Sequence, residues 1–204
     1  MNVHSYIKQE TQEINMKERL SDKRTAALKA TLDLIATQGF HGTPMSQIAQ
    51  EANIGVGTIY RYFSSKEDLI NALYIDMKTH MADHILKNYS EDIPVRESFT
   101  QVLSAVIHYF VENPKELYFS EQYENSPLIT EATREEGSRI ARPIMDLFKR
   151  ACEENLLKDM PFETLGALLG GAVNSLSKLY LSGKVKPEDS LSASIDAIWD
   201  MIKR

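Results

Sequence analysis

The chain has 204 residues, a formal net charge of −6, 43% hydrophobic and 25% charged residues, and only nine Gly and seven Pro. That balance supplies a sizeable apolar core and excludes collagen-like, low-complexity and disordered chains. A single cysteine, Cys152, excludes an intrachain disulfide and fits a reducing, cytoplasmic setting.

Helical periodicity dominates, with no run of strict period-2 alternation. The first twenty residues are polar, hold no apolar core of signal-peptide length, and read as an extension over 1–20. Ser21 or Asp22 is placed to cap a helix whose buried stripe is Ala27, Leu28, Thr31, Leu32, Leu34 and Ile35, closed by Gly39. Thr43-Pro44 reads as an N-cap followed by Pro at the first position of a short helix reaching Ala52. Gly55 opens another short helix to about Phe63. Ser64-x-x-Glu67 and Ser65-x-x-Asp68 both resemble capping boxes for a long helix reaching about Asn88. Five further helical segments follow over 94–112, 114–123, 127–157, 161–181 and 187–203, separated by Pro, Gly or Asn signals. The longest apolar run, residues 165–173, is far too short for a membrane span. An all-α chain is predicted: a three-helix N-terminal domain over 21–66, joined by the long helix to a helical bundle within 67–204.

Charge is uneven. Residues 17–71 carry seven basic and six acidic side chains, whereas 72–204 carry fifteen and twenty-one. The acidic excess is kept out of the first third, where a polyanion can be met. Within that third, residues 43–63 have the grammar of a helix-turn-helix. Ile48, Ala49 and Ala52 form the inner face of its first helix, Ile54 packs the turn, and Ile59 with Phe63 forms the inner face of the second. Gly57, Thr58, Arg61 and Tyr62 are left facing outward, with Tyr60 at the flank. Val56, Gly57 and Thr58 offer little bulk, so the backbone can approach base edges in a major groove. Tyrosine hydroxyls and Lys66 are donors to phosphates. Two short packed helices with a Gly turn also occur in ordinary helical cores. Buried packing does not, however, ask for Tyr60, Arg61 and Tyr62 together.

The run from Phe40 through Leu69 includes Gln47-Ile48-Ala49, Gly57-Thr58-Ile59-Tyr60-Arg61-Tyr62-Phe63 and Ser65-Lys66-Glu67-Asp68-Leu69. It resembles the DNA-binding domain of TetR-family transcriptional regulators, the likeness covering about residues 20–72. The family's turn reads Ala-Gly-Val-Ser; here it is Ala52-Asn53-Ile54-Gly55, with Asn able to adopt the left-handed conformation and Gly acceptable as an N-cap. The resemblance implies operator contacts at Thr43, Ser46, Gln47, Thr58, Tyr60, Tyr62 and Lys66. It also implies an Ω-shaped homodimer paired through the last two long helices, and an effector pocket in the C-terminal bundle.

Two stretches suit the dimer. Gly166-x-x-x-Gly170-Gly171 lets a helix approach closely, and Ile195, Ile198 and Trp199 recur with Ile202 as an apolar stripe on the final helix. Internal packing is the alternative for both. For the effector, Tyr74, Met77, Met81, Phe110, Tyr118, Gln122, Tyr123 and Asn174 lie on segments able to face a shared interior. Their mix suits an apolar or aromatic small molecule with a few polar contacts, and Glu121 leaves room for a cationic one. Asp76, His80 and His84 share a helix face, with Asp83 nearby and His108 or Glu112 as further ligands. A solvated face is the expected reading, and no metal or cofactor is assigned. Cys152, on an apolar stripe with Leu147 and Phe148, is expected to be a small buried residue. The chain holds no phosphate-cradling glycine loop, HExxH or GxSxG, and Gly55-x-Gly57 lacks the third glycine of a dinucleotide fingerprint, so no enzyme is predicted. The expectation is a cytoplasmic, ligand-responsive repressor that binds palindromic double-stranded operator DNA as a homodimer, is released by a small-molecule effector, and has no membrane partner. A constitutive DNA-binding protein, or an activator without an effector, is the alternative.

Overall fold

The computed structural model describes residues 3–87, 89, 90 and 92–204, with side chains from residue 21 onward. Among the described residues the secondary structure is ten α-helices, with one isolated antiparallel bridge between Leu157 and Lys203. The chain divides into two compact units, Met1–Leu73 and Tyr74–Arg204. The division falls seven residues beyond the expected 66/67 boundary.

The first unit holds α1 (Val3–Gln38), α2 (Met45–Glu51), α3 (Val56–Tyr62) and the opening turns of α4 (Lys66–Leu86). Ser21 and Asp22 do not start a helix; α1 begins at Val3 and runs through them, leaving both exposed. A serine or aspartate that faces water inside a helix competes little with the backbone ladder. The helix does stop at Gly39, which takes φ 71°. Ala27, Leu28, Thr31 and Ile35 face the core, and the buried Thr31 hydroxyl is satisfied by donating to the Ala27 carbonyl at 2.7 Å. Thr43 is not the cap of α2. Pro44 occupies that position, and the Thr43 hydroxyl turns back to donate to the Gly39 carbonyl at 2.8 Å. The turn after α2 is closed by Asn53 at φ 52°, as its left-handed tolerance anticipates, and Gly55 is the N-cap of α3. Of the two candidate boxes at the start of α4, Ser65–Asp68 supplies the cap, with its carboxylate bonded one residue upstream of Ser65. The Asp68 amide donates to Ser65 Oγ at 3.1 Å, and the Asp68 carboxylate accepts from the Ser64 amide at 2.7 Å.

The second unit holds the rest of α4 with α5 (Val95–Glu112), α6 (Pro114–Tyr123), α7 (Glu131–Ile140), α8 (Arg142–Glu153), α9 (Phe162–Leu181) and α10 (Pro187–Ile202). Its core gathers Phe99, Leu103 and Ile107 of α5 with Leu165, Leu169 and Val173 of α9, Leu147 and Ala151 of α8, and Ile195, Ile198 and Ile202 of α10. The single helix expected over 127–157 is two. Thr130 caps α7 by accepting from the Thr133 amide at 3.2 Å, and the break at Ala141 follows from Pro143, which has no amide to donate and whose ring excludes the carbonyl four residues back. Cys152 is exposed, not buried: α8 presents Leu147 and Ala151 to the core, and one residue further turns about 100° away from them.

Candidate nucleic-acid interface

Ile48 and Ala49 of α2 and Ile59 of α3 are fully buried, which fixes the rotation of both helices. Gly57 and Arg61, on the side of α3 away from Ile59, are exposed; Val56 (46% exposed) and Tyr60 (51%) stand on the flank. Thr58 is half-buried. Tyr62 departs from the expected outward pose, because its ring lies 6.2 Å from that of Phe63 and its hydroxyl is buried without a hydrogen-bonding partner. On α2, Ser46 is exposed, and Gln47 Oε1 accepts from Gln38 Nε2 at 2.9 Å. Thr43, expected at the DNA, is fully buried; its hydroxyl accepts from the same Gln38 amide at 3.3 Å and so helps hold Gln38 against Gln47. Lys66 donates to the Phe40 carbonyl at 2.6 Å with its ammonium 4.1 Å from the Phe40 ring centre. It ties the start of α4 to the turn that follows α1 and keeps two further donors on the same nitrogen. Val56 and Arg61 join the exposed face, though the resemblance implied neither. Spacing from Ile59 is enough to find Arg61, whereas the exposure of Val56 is visible only in the structure.

In the second unit, Tyr74, Met77, Phe110 and Tyr123 are buried, and Met81 and Asn174 are half-buried. Tyr118 (49% exposed) and Gln122 do not face the interior. The helix α6 turns Leu117, Phe119 and Tyr123 inward, which leaves positions 118 and 122, one turn apart, on the outer side. Glu121 is not open to a cationic ligand either, since it pairs with Lys178 of α9. A polar cluster sits where α4 enters this unit. Lys78, its side chain 17% exposed, lies 2.5 Å from the Glu124 carboxylate, and the Tyr74 hydroxyl is 3.5 Å from the same oxygen. Burial works against the Lys78 ammonium, but Glu124 and Tyr74 outweigh it and hold the pKa above the usual lysine value. Burial also raises the Tyr74 pKa. Gly137 lets α7 close on this cluster: a Cβ there would stand 2.7 Å from Tyr74 Cε1. A second cluster joins α5 to α6, where the Tyr109 hydroxyl donates to Glu116 at 2.5 Å and burial raises the pKa of both. His80 lies 3.6 Å from Asp76, and the His84 ring packs 5.3 Å from that of Tyr109.

Besides a groove of about 550 Å³ between α5 and α10, lined by Thr100, His108 and Leu191 among others, two larger ones open among the described residues of this unit. One of about 690 Å³ lies between the end of α4 and α5, lined by His84, Tyr89, Gln101, His108 and Glu112 among others. The other, about 620 Å³, follows α8 past Arg142, Met145, Lys149 and Phe162. None of the eight residues expected to line a pocket borders either groove. The expected dimer residues also separate. Gly166, Gly170 and Gly171 are exposed on α9, with no atom outside their own helical surroundings within 4 Å of where a Cβ would be. Ile195 and Ile198 are buried in the core of their own chain, and Trp199 packs on Phe99 at 5.0 Å, so this stripe is internal packing.

A helix-turn-helix with an exposed second helix, followed by a separate all-helical unit, defines a DNA-binding regulator. The family model for bacterial regulatory proteins of the tetR family matches residues 27–73, and that for a tetracyclin repressor-like C-terminal domain matches residues 74–204. The chain belongs to the TetR family of transcriptional regulators, which are DNA-binding proteins and not enzymes. An HTH-type transcriptional regulator of Haemophilus influenzae is 28% identical over 192 residues, spanning 93% of this chain and all of that one. A TetR-family transcription regulator from Shewanella sp. PV-4 matches with TM-score 0.81 at 26% identity, over 89% of this chain and 98% of the other. FadR from Bacillus subtilis, solved in complex with stearoyl-CoA, shares the fold with TM-score 0.66 at 16% identity, over 87% and 96% of the two chains. Among the described residues no helix is long and apolar enough to cross a membrane.

Proposed function

We propose that this regulator is a cytoplasmic repressor that binds a palindromic operator as a homodimer and is released by a small molecule held in its second unit. The continuity of α4 carries the reading. Its first turn is capped in the unit that bears α3, and the same helix runs on to Leu86 through the Tyr74–Lys78–Glu124 cluster. A ligand that displaces that cluster therefore acts on a helix shared with the DNA-binding unit. In this reading residues 21–66 bind DNA, 67–204 bind the effector and the second subunit, and 1–20 are an extension. Ser46, Gln47, Gly57, Thr58 and Tyr60 meet the operator, Lys66 meets a phosphate, and the effector enters by opening the interior filled by Tyr74, Met77, Met81, Phe110, Tyr123 and Asn174. FadR, which shares this fold, is solved in complex with stearoyl-CoA, which supports a small-molecule effector here.

The dimer follows from the glycines of α9. A glycine inside a helix costs about 1 kcal/mol relative to alanine. Gly166, Gly170 and Gly171 have no neighbour that would collide with a Cβ, so their own chain offers no reason for them. A second copy packed closely on that face does.

The test is fluorescence anisotropy of a labelled duplex from the region upstream of its own gene, with and without a compound library. Release by an effector needs a coupling of only about 1–3 kcal/mol, or roughly 5- to 150-fold in DNA affinity, and the DNA must weaken effector binding by the same factor. Gly170→Glu is expected to give monomers by light scattering and to lose operator binding. A variant that stays dimeric refutes this face. A library in which no compound binding the second unit alters DNA affinity refutes ligand control.

A further inference from the structure

Resting on the reading of α3 as the helix that meets DNA, we infer that Val56 is a specificity-determining residue that reads the C5-methyl group of a thymine in each operator half-site. Gly57 brings the helix backbone close enough for it to do so. Val56 is the first residue of α3 and is 46% exposed, its branched side chain projecting beside a residue that has none. Gly57 has no internal explanation. It does not take a positive φ, and a Cβ built on it would meet nothing within 4 Å. A glycine in a helix is unfavourable relative to alanine, and neither backbone conformation nor packing within the chain recovers that loss. The remaining reason is the close approach of another molecule, and the amino end of the second helix of this motif is the part that reaches base edges.

Beside that approach, the chemistry of Val56 restricts what it can recognise. It carries no donor or acceptor, so it cannot read the hydrogen-bonding pattern of a base. The apolar group that a base pair presents in the major groove is the thymine methyl. Tyr60, on the same flank one turn later, is 51% exposed and carries a hydroxyl suited to a phosphate, so the two residues divide base and backbone between them. The Tyr62 hydroxyl, buried and unpartnered, is turned away from that division.

The experiment uses the full chain and a duplex that it selects itself from a random-sequence library, with affinity measured by anisotropy at fixed salt. Each thymine is replaced in turn by deoxyuridine, which pairs identically but lacks the methyl. One position per half-site is expected to lose about 4-fold, the value of one buried methyl-sized group. Val56→Ala removes the contact from both half-sites, so it is expected to bind the unmodified duplex about 16-fold more weakly and to be indifferent to deoxyuridine at that position alone. Cytosine placed there is expected to bind better when 5-methylated. Gly57→Ala is expected to unfold at the same or a higher temperature yet lose at least about 10-fold in DNA affinity, as a wrong contact at the reading surface would. A deoxyuridine scan in which no penalty disappears in Val56→Ala overturns the assignment, as does a Gly57→Ala variant that binds like the parent. Failure to enrich any sequence is a different result, and it overturns the DNA-binding reading itself.

Discussion

The ion pair between Lys78 and Glu124 is expected to have unequal halves. Glu124→Gln leaves an ammonium that is 17% exposed without its carboxylate, whereas Lys78→Met leaves a carboxylate that is 37% exposed and reached by water. Stranding one partner of a fully buried pair costs about 3–5 kcal/mol. Exposure of Glu124 screens its charge and moves its side of the account toward the surface range of about 0–1 kcal/mol. We therefore expect Glu124→Gln to lose about 2–3 kcal/mol and Lys78→Met about 1 kcal/mol or less, because methionine refills the volume of the lysine stem. At about 2–4 °C per kcal/mol for a chain of this size, the thermal midpoint falls by roughly 5–10 °C in the first variant and at most about 4 °C in the second. The pH dependence separates them further. In the parent the Lys78 pKa is held above 10.5, so its contribution is complete below that pH and is lost only as pH rises through the folded value. In Glu124→Gln burial dominates and drives the pKa below 10.5. The unfolded chain then binds more protons than the folded one, and the variant regains stability relative to the parent as pH rises toward 10.5. Circular dichroism melts of the three proteins between pH 7 and pH 10 are the assay. Equal losses in the two variants, or no alkaline recovery in Glu124→Gln, refute the reasoning.

Gly137→Ala places a Cβ 2.7 Å from the Tyr74 ring. Overpacking of about 1–3 kcal/mol should outweigh the helix preference of about 1 kcal/mol. In a Tyr74→Leu background the same change should become stabilising, and denaturant titration of the four proteins checks for that reversal of sign. Burial raises the Glu116 pKa above 4.5, so its contribution is present below that pH and lost as pH rises through the folded value. Glu116→Gln should flatten this decline in midpoint between pH 4.5 and pH 7. Lys66→Met should lower the stability of the DNA-binding unit by about 1–2 kcal/mol through the lost bond to the Phe40 carbonyl. It should also reduce the slope of log affinity against log salt by about 2, one phosphate for each subunit of the dimer, and an unchanged slope would remove Lys66 from the phosphate contacts.

Much of the DNA-binding unit was legible because its signals are local. Asn53 at its left-handed turn, Gly39 at the end of α1, and the Ser65–Asp68 cap act over four residues or fewer. The apolar spacing of Ile48, Ala49 and Ile59 sets which sides of α2 and α3 turn inward. Legibility fades where a local signal has two outcomes. Thr43 carries a capping side chain, but Pro44 takes the cap and the hydroxyl finds the Gly39 carbonyl instead. Ser21 and Asp22 are competent caps that a continuous helix passes over. The 127–157 segment contained its own break at Pro143, whose missing amide is a stronger instruction than the periodicity around it.

By itself the sequence determined an all-helical chain, the position of its helix-turn-helix, and the outward pose of Gly57 and Arg61 with Tyr60 at the flank, because these follow from backbone propensity and a 3.6-residue period, whereas Thr58 and Tyr62, expected outward, are partly covered. The tertiary structure decided what each apolar stripe is buried against. Periodicity marks a face of α10 as apolar but cannot say that Ile195 and Ile198 pack within their own chain while the glycine face of α9 stays open. It decided, too, that Lys66 reaches a carbonyl 26 positions back, that Lys78 meets Glu124 across 46 residues, and that Glu121 is neutralised by Lys178 across 57. Such pairings are set by how helices far apart in the chain come together, and no spacing within a single helix records them.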